Sequence, residues 1–310
     1  MAGSQVRQVQ NDLAGLSLST NGDAKVSSIE VVDKTKSDFH VYNVYYYKEK
    51  IRTTVTHKAS VVDQWIASVY NDFRHKLSNL VVGLDIEWSR IRDNSERNKV
   101  AILQLCLSRR CLIFQISCCD NIPKSLHEFL NNNEFIFAGV GIDSDAYKLW
   151  GDHRLNVSIT EELGGLAAFK LSKTVGEYRE GRLCKAGLKV LAKDVLNLEL
   201  PKPEGILLSN WNIPFLSDYQ VEYACLDALV SYKLAIDLMS RANPVHTDEP
   251  KKPCEDYLLE TEQEDFEMVN ESKTDGTKSD SGCTQKPRDN TPKKGSPAGE
   301  GWSWKSLFRK

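Results

Sequence analysis

Long apolar segments are absent from this sequence of 310 residues. No run reaches the roughly 18 consecutive apolar residues that suggest a membrane-spanning helix. The first residues, Met1–Gln5, do not resemble the apolar core of a secretory signal peptide. We therefore expect a protein without a membrane span, located in the nucleus, the cytoplasm or both.

Cysteine pairs with the spacing of a zinc site are absent too. The chain has eight cysteines, but none form a C-x-x-C pair, and Cys118 and Cys119 are adjacent. Cys106, Cys111 and Cys225 lie within apolar patterns. We expect these three to be reduced thiols in the core, as in other intracellular proteins.

Excess positive charge is also missing, since the formal net charge is −3. A protein that follows long nucleic-acid duplexes by electrostatic attraction is usually basic. If this chain binds nucleic acid, we expect it to contact a strand end locally. The chain also lacks a P-loop, so we expect no attached helicase motor.

The pattern of apolar and polar residues predicts one α/β domain over residues 38–242. Residues 40–56 alternate as a β-hairpin does, and residues 60–80 have the pattern of a helix. Further strands are predicted at 81–88, 99–107, 111–117, 135–140 and 155–159, and further helices at 123–132, 145–152, 161–171, 185–195 and 217–241. This order favours a mixed β-sheet flanked by helices.

The two flanking segments, residues 1–37 and 243–310, are polar and aperiodic, so we predict disordered tails. Two tryptophans, a leucine and a phenylalanine lie among cations in residues 301–310. This end is either a short docking motif for a protein partner or an untethered terminus whose aromatic residues sometimes rest on the domain.

A first acidic motif lies in the buried strand predicted at residues 81–88. Side chains alternate along a strand, so Asp85 and Glu87 point to the same face. Two carboxylates placed in this way repel each other unless a cation lies between them. The alternative is a strand end whose acids simply face water.

A second acidic motif places Asp145 in the first turn of a helix, after the glycines of residues 139–141. A helix dipole favours an acid at this position, which is a sufficient structural reason for it. The functional alternative places Asp145 at the edge of the sheet, facing the strand that carries Asp85.

The third motif lies in the long helix predicted at residues 217–241. Ser217 and Gln220 have the spacing of a capping box at its start. Tyr223 and Asp227 are four residues apart, so they are neighbours on one helix face. A hydrogen-bonded pair near the core is the structural alternative.

Taken together, the three motifs resemble those of the DEDDy branch of the DnaQ-like 3′→5′ exonucleases. Within that branch they resemble the Werner-type exonucleases most closely, including the plant type that lacks a helicase. Residues 98–106 and 209–211 also match the family, and the resemblance covers about residues 38–241. It implies an RNase H-like fold and removal of nucleotides from a 3′ end.

The resemblance also implies a role for each acid. Asp85, Glu87 and Asp227 would hold one metal ion that activates water, while Asp85 and Asp145 would support a second. Tyr223 would orient the attacking water. The ions would be two Mg²⁺, with Mn²⁺ as a substitute, because hard divalent ions prefer carboxylate oxygens.

Three residues beside the acids are candidates for contact with nucleic acid. Trp88 and Tyr147 are placed to stack on terminal bases, and Lys148 is placed to contact phosphate. Packing into the core is an equally suitable role for the two aromatic side chains.

Two questions about function stay open at this point. The chain is either a nuclease or an exonuclease-fold module that binds nucleic acid or protein without cutting. DNA and RNA substrates share the same scissile group, so the motifs do not distinguish them.

Overall fold

The structure, a computed structural model, describes residues 26–35, 38–89, 98–172 and 177–243. The greater part of both predicted tails, residues 1–25 and 244–310, lies outside the described residues, so their disorder stays a prediction. No helix among the described residues is long and apolar enough to cross a membrane.

Eight strands and seven α-helices make up the described part of the chain. The strands are β1 (Ser27–Asp33), β2 (Phe39–Tyr46), β3 (Glu49–Thr56), β4 (Leu80–Trp88), β5 (Val100–Leu107), β6 (Arg110–Phe114), β7 (Phe135–Gly139) and β8 (Thr160–Glu162). The helices are α1 (Ala59–Phe73), α2 (Lys124–Leu130), α3 (Ile142–His153), α4 (Leu163–Leu171), α5 (Glu177–Cys184), α6 (Leu188–Leu196) and α7 (Asp218–Ser240).

All eight strands form one mixed sheet in the order β1-β2-β3-β6-β5-β4-β7-β8. The strands β1, β2 and β3 are antiparallel, as are β6, β5 and β4, while β3 pairs with β6, and β4 with β7, in parallel. As a result β3, β6, β4 and β7 all end at the same side of the sheet, which we call the carboxyl edge. The predicted mixed sheet flanked by helices is confirmed.

The long helix α7 packs on one face of the sheet, across β4, β5 and β6. The predicted capping box is present, because Ser217 accepts a hydrogen bond from the Gln220 backbone and the Gln220 side chain accepts one from the Ser217 backbone. Most of the helix is buried, which explains its weakly amphipathic sequence. This helix is the central element of the core.

Gly83 allows α7 to approach β4 closely. A Cβ atom at this position would lie 2.0 Å from the carbonyl oxygen of Ala228 and 2.6 Å from the amide nitrogen of Tyr232. Both neighbours are backbone atoms of α7, so they cannot rotate away. The glycine therefore fixes the distance between strand and helix.

Several predicted boundaries were wrong. The segment predicted as disordered up to residue 37 contains β1, which is stabilised by antiparallel pairing with β2. Helix α1 ends at Phe73 and not near residue 80, and its first amide, that of Ala59, donates to Asp120 of a distant loop. The strand predicted at 155–159 lies instead at Thr160–Glu162, and α5 was missed.

We predict that Gly83→Ala lowers the free energy of unfolding by about 3 kcal/mol, the upper end of the usual cost of overpacking. The added methyl group meets helix backbone, so α7 must shift. Urea unfolding measures this change. Gly165→Ala is the matched control, because a Cβ atom added at that position would meet no other described atom within 4 Å. An equal loss of stability in both variants would contradict the prediction.

Candidate active site

Three predicted acids meet where β4 and α7 come together. Asp85 and Glu87 lie near the carboxyl end of β4, and Asp227 lies on α7. One carboxylate oxygen from each lies within 4.8 Å of the others. We call these three residues the acid cluster, and their spacing suits shared coordination of a cation.

Burial and mutual repulsion make the acid cluster electrostatically unfavourable when no cation is bound. Burial is the main cause that raises the pKa of Asp85 well above its usual range, and the charges of Asp227 and Glu87 add to it. Burial also raises the pKa of Asp227 to about 6, although a hydrogen bond from Tyr223 opposes this rise. A divalent cation would relieve both effects, because it stabilises the ionised form.

Tyr223 lies one helical turn before Asp227, as predicted, and its hydroxyl donates a hydrogen bond to that carboxylate. Its ring packs at a tilt against Trp211, with centroids 6.2 Å apart. Burial and the neighbouring Asp227 charge raise the pKa of Tyr223 above its ordinary value. The phenol therefore stays protonated at neutral pH and acts as a hydrogen-bonding group, not as a base.

Asp145 lies in the first turn of α3, as predicted, but outside the three-residue acid cluster. Its charge nevertheless contributes to the raised pKa of Asp85. Burial, with help from the Glu162 charge, raises the pKa of Asp145 to about 8. A role for Asp145 as a metal ligand stays a prediction.

Glu162 at the end of β8 was missed by the sequence analysis. Its Oε2 atom accepts hydrogen bonds from the amides of Gly141 (2.7 Å) and Ile142 (3.1 Å), and Oε1 accepts one from Gly164 (3.3 Å). It thereby joins the beginnings of α3 and α4. Since the Asp145 amide in turn donates to the Gly141 carbonyl, Glu162 holds the turn that places Asp145. The sequence shows Glu162 as an acid directly before a helix, which is a common start signal. Its hydrogen bond to a turn 21 residues earlier could not be read from the sequence.

The three candidate nucleic-acid contacts differ from one another. Lys148 is engaged within the protein, because its Nζ atom donates to the Asn98 carbonyl (2.6 Å), pairs with Asp152 (3.0 Å) and lies 5.1 Å from the centre of the Trp88 ring. Tyr147 is 74% exposed and accessible. Contact with nucleic acid stays a prediction for all three, and Tyr147 is the most exposed of them.

The side chain of Gln104 on β5 indicates that the site suits a hydrated cation. It pairs in register with Asp85, so both side chains point to the same face of the sheet. Both polar atoms of its amide are buried and have no hydrogen-bond partner among the described residues. A buried amide left in this state is costly, and water around a bound ion would satisfy it. In the sequence, a single glutamine within the otherwise apolar β5 was the sign that this position could belong to the site.

Comparisons with known proteins identify the family of this arrangement. A family model described as 3'-5' exonuclease matches residues 58–242, more than half of the chain. A 3'-5' exonuclease of Arabidopsis thaliana is 36% identical over 155 residues, covering 49% of this chain and 50% of that protein. The bifunctional 3'-5' exonuclease/ATP-dependent helicase WRN of Mus musculus is 37% identical over 150 residues, covering 48% of this chain and 10% of that protein.

Among solved structures, the EXD2 exonuclease domain soaked in Mn and Mg overlaps with a TM-score of 0.34 at 27% identity, covering 61% of this chain and 89% of that one. The chain spans about half the length of the plant relative and a tenth of the mouse protein.

We predict that divalent ions stabilise the protein more at pH 8 than at pH 6. The raised pKa values, about 6 for Asp227 and about 8 for Asp145, exceed the roughly 3.9 of an unfolded aspartate. Without ions, the folded state binds more protons, so stability falls as pH rises from about 4 to about 8. Thermal unfolding in EDTA and in Mg²⁺ or Mn²⁺, at both pH values, measures the difference.

Asp85→Asn is the control for this measurement. The variant lacks one ionisable group of the acid cluster. It retains Glu161 on β8, which lies outside that cluster and whose pKa is raised by burial to about 7. The variant should keep part of the pH dependence and lose most of the response to ions. An undiminished response would place the ions elsewhere.

Proposed function

Because the chain belongs to the 3'-5' exonuclease family, we propose that it hydrolyses phosphodiester bonds from the 3′ end of nucleic acid, and that it does so with two divalent ions in the tyrosine-containing DEDDy arrangement. The observation that carries this proposal is the acid cluster with Tyr223 hydrogen-bonded to Asp227. The relatives named as 3'-5' exonucleases support it.

In the proposed site, Asp85, Glu87 and Asp227 would hold one ion, and Asp85 and Asp145 would hold the second. Mg²⁺ or Mn²⁺ suits this all-oxygen set of ligands. When bound, the two ions would lower the pKa of water and stabilise negative charge on the attacking and leaving oxygens. The protein contributes a rigid frame, because Gly83 fixes the strand against the helix.

Tyr223 orients the attacking water in this proposal. Its hydroxyl proton is directed to Asp227, which leaves the oxygen lone pairs available to accept a hydrogen bond from water. Trp211 packs against the ring and keeps it in place. Because its pKa is raised, the phenol positions the water without removing its proton.

Lys202 supplies positive charge near the acid cluster. Its charge lowers the pKa of Asp227, against the larger effect of burial. Lys202 was not among the residues that the sequence predicted to contact nucleic acid. A cation here favours the approach of a phosphate to a site that is otherwise rich in negative charge.

We predict that Asp85→Asn and Asp227→Asn each abolish cleavage while the protein stays folded. The substitutions keep side-chain volume but remove the charge that attracts a cation. A 5′-labelled oligonucleotide, as DNA and as RNA, is incubated with Mg²⁺ or Mn²⁺. Wild-type protein should give a ladder that shortens one nucleotide at a time from the 3′ end.

Asp143→Asn is the matched control for these variants. It is an acid in the same first turn of α3 as Asp145, but its carboxylate accepts a hydrogen bond from Thr160 instead of joining the site. It should cleave as the wild-type protein does. Cleavage of circular single strands, or normal rates in either acid variant, would contradict the proposal, and binding without any cleavage would favour a non-cleaving module.

We predict that Tyr223→Phe lowers kcat by roughly 10²–10⁴-fold, the usual loss for a positioned catalytic group. The ring and its packing on Trp211 remain, and only the hydroxyl is lost. Single-turnover cleavage measures the rate, and the thermal shift on adding Mn²⁺ measures whether ion binding persists. A full rate in this variant would show that the tyrosine only packs.

A further inference from the structure

A cavity of about 170 Å³ lies at the carboxyl edge of the sheet, away from the acid cluster. Its lining includes His40 near the beginning of β2, Val55 near the end of β3, and Gln115 just after β6. The strand β2 is antiparallel to β3, so its beginning lies at the edge where β3 ends. The cavity and the acids at the end of β4 therefore share one edge of the sheet.

One segment, residues 209–217, connects the two places, and we call it the edge loop. Near β4, the Ser89 hydroxyl oxygen accepts hydrogen bonds from the amides of Trp211 (2.8 Å) and Asn212 (3.1 Å). Further along, the Gln115 side chain donates to the carbonyls of Ile213 (2.9 Å) and Pro214 (3.2 Å). The edge loop is thus fixed to the sheet at two points.

The edge loop reaches the cavity at Phe215. The ring of Phe215 is 72% exposed, yet it stacks nearly parallel on His40, with ring centroids 6.1 Å apart and planes at 14°. Tyr219, the second residue of α7, is 69% exposed. An aromatic ring that is exposed on a fixed backbone is a platform for stacking, because little conformational entropy is lost on binding.

The charge of the cavity favours a neutral ligand. Asp38 is the acid among its lining residues, which include no lysine or arginine. Burial lowers the pKa of His40, so its imidazole is uncharged at neutral pH. A heterocyclic base can stack on Phe215 and use His40, His57 and Asp38 as hydrogen-bonding partners.

The distance to the acid cluster matches a short length of nucleic acid. Two strand spacings separate β4 from β6 and three separate β4 from β3. At about 4.8 Å for each spacing, the cavity lies about 10–14 Å along the edge. With stacked bases at about 3.4 Å for each nucleotide, this is three or four nucleotides.

We propose that this cavity binds a nucleobase of the substrate strand, three or four nucleotides from its 3′ end, by stacking on Phe215. This inference rests on the proposed function, because it assumes that the terminal phosphodiester bond lies at the acid cluster. The edge loop then contributes to two contacts with the substrate, one at the reacting end and one at the upstream base. Trp211 supports Tyr223 at the reacting end, and Phe215 holds the upstream base.

The experiment measures cleavage of single-stranded oligonucleotides of two to eight nucleotides. In wild-type protein, kcat/KM should rise once the strand is long enough to reach the cavity. Phe215→Ala should lower the ratio of kcat/KM for the octamer to that for the dimer by roughly tenfold, as expected for one lost base–aromatic stack. Phe215→Trp retains a stacking ring and should restore the ratio.

Leu208→Ala is the matched control, because Leu208 is 74% exposed just before the edge loop and does not line the cavity. It should leave the ratio unchanged. An unchanged ratio in Phe215→Ala, or an equal fall in Leu208→Ala, would overturn the proposal.

A scan with one abasic nucleotide locates the bound base. Moving the abasic position from the second to the sixth nucleotide from the 3′ end should weaken wild-type binding most at the third or fourth. Phe215→Ala should lose this positional effect. The scan is read as equilibrium binding in Mg²⁺ to strands whose terminal linkage is replaced by an uncleavable one, so it tests the cavity even if wild-type protein cuts nothing. A flat wild-type profile overturns this inference alone, whereas absent cleavage overturns the proposed function.

Discussion

Backbone contact between Gly83 on β4 and the helix α7 is the constraint on which the arrangement of the site depends. The strand carries Asp85 and Glu87, and the helix carries Tyr223 and Asp227, so the two groups meet only if strand and helix approach closely. The missing side chain at residue 83 allows that approach, and the carbonyl of Ala228 occupies the space where a Cβ atom would lie. The spacing of the acids thus follows from backbone packing and does not depend on flexible side chains.

This rigid frame holds groups that would be unfavourable elsewhere in the core. Burial raises the pKa values of Asp85 and Asp227, and the amide of Gln104 has no partner among the described residues. Buried polar groups of this kind reduce stability unless a ligand satisfies them. The hydrophobic packing of α7 over the sheet offsets the cost, which is why the site can be prepared for a cation before one arrives.

Local patterns predicted where individual residues of this site lie, and the family resemblance predicted that they belong to one site. The alternation in β4 placed Asp85 and Glu87 on one face, and helical spacing placed Tyr223 beside Asp227. Contacts between distant parts of the chain were not predictable in this way. These include the pairing of β1 with β2, the capping of α1 by Asp120, the bridge from Glu162 to Gly141 and the hydrogen bond from Lys148 to the Asn98 carbonyl. Each depends on which segments the fold brings together, and no short motif encodes that.

Burial of α7 on nearly all sides has a consequence for local opening. In many enzymes the residues that contact ligands lie on segments that unfold locally at low cost. Here Tyr223 and Asp227 lie in the middle of a buried helix, so their amide protons can exchange with solvent only when the core itself opens. Fluctuation that admits or releases a strand must then come from exposed side chains such as Tyr147 and Phe215. The chemical centre and the side chains that can adapt to a strand are therefore separate parts of the molecule, and substitution of those side chains can alter substrate preference without loosening the acids.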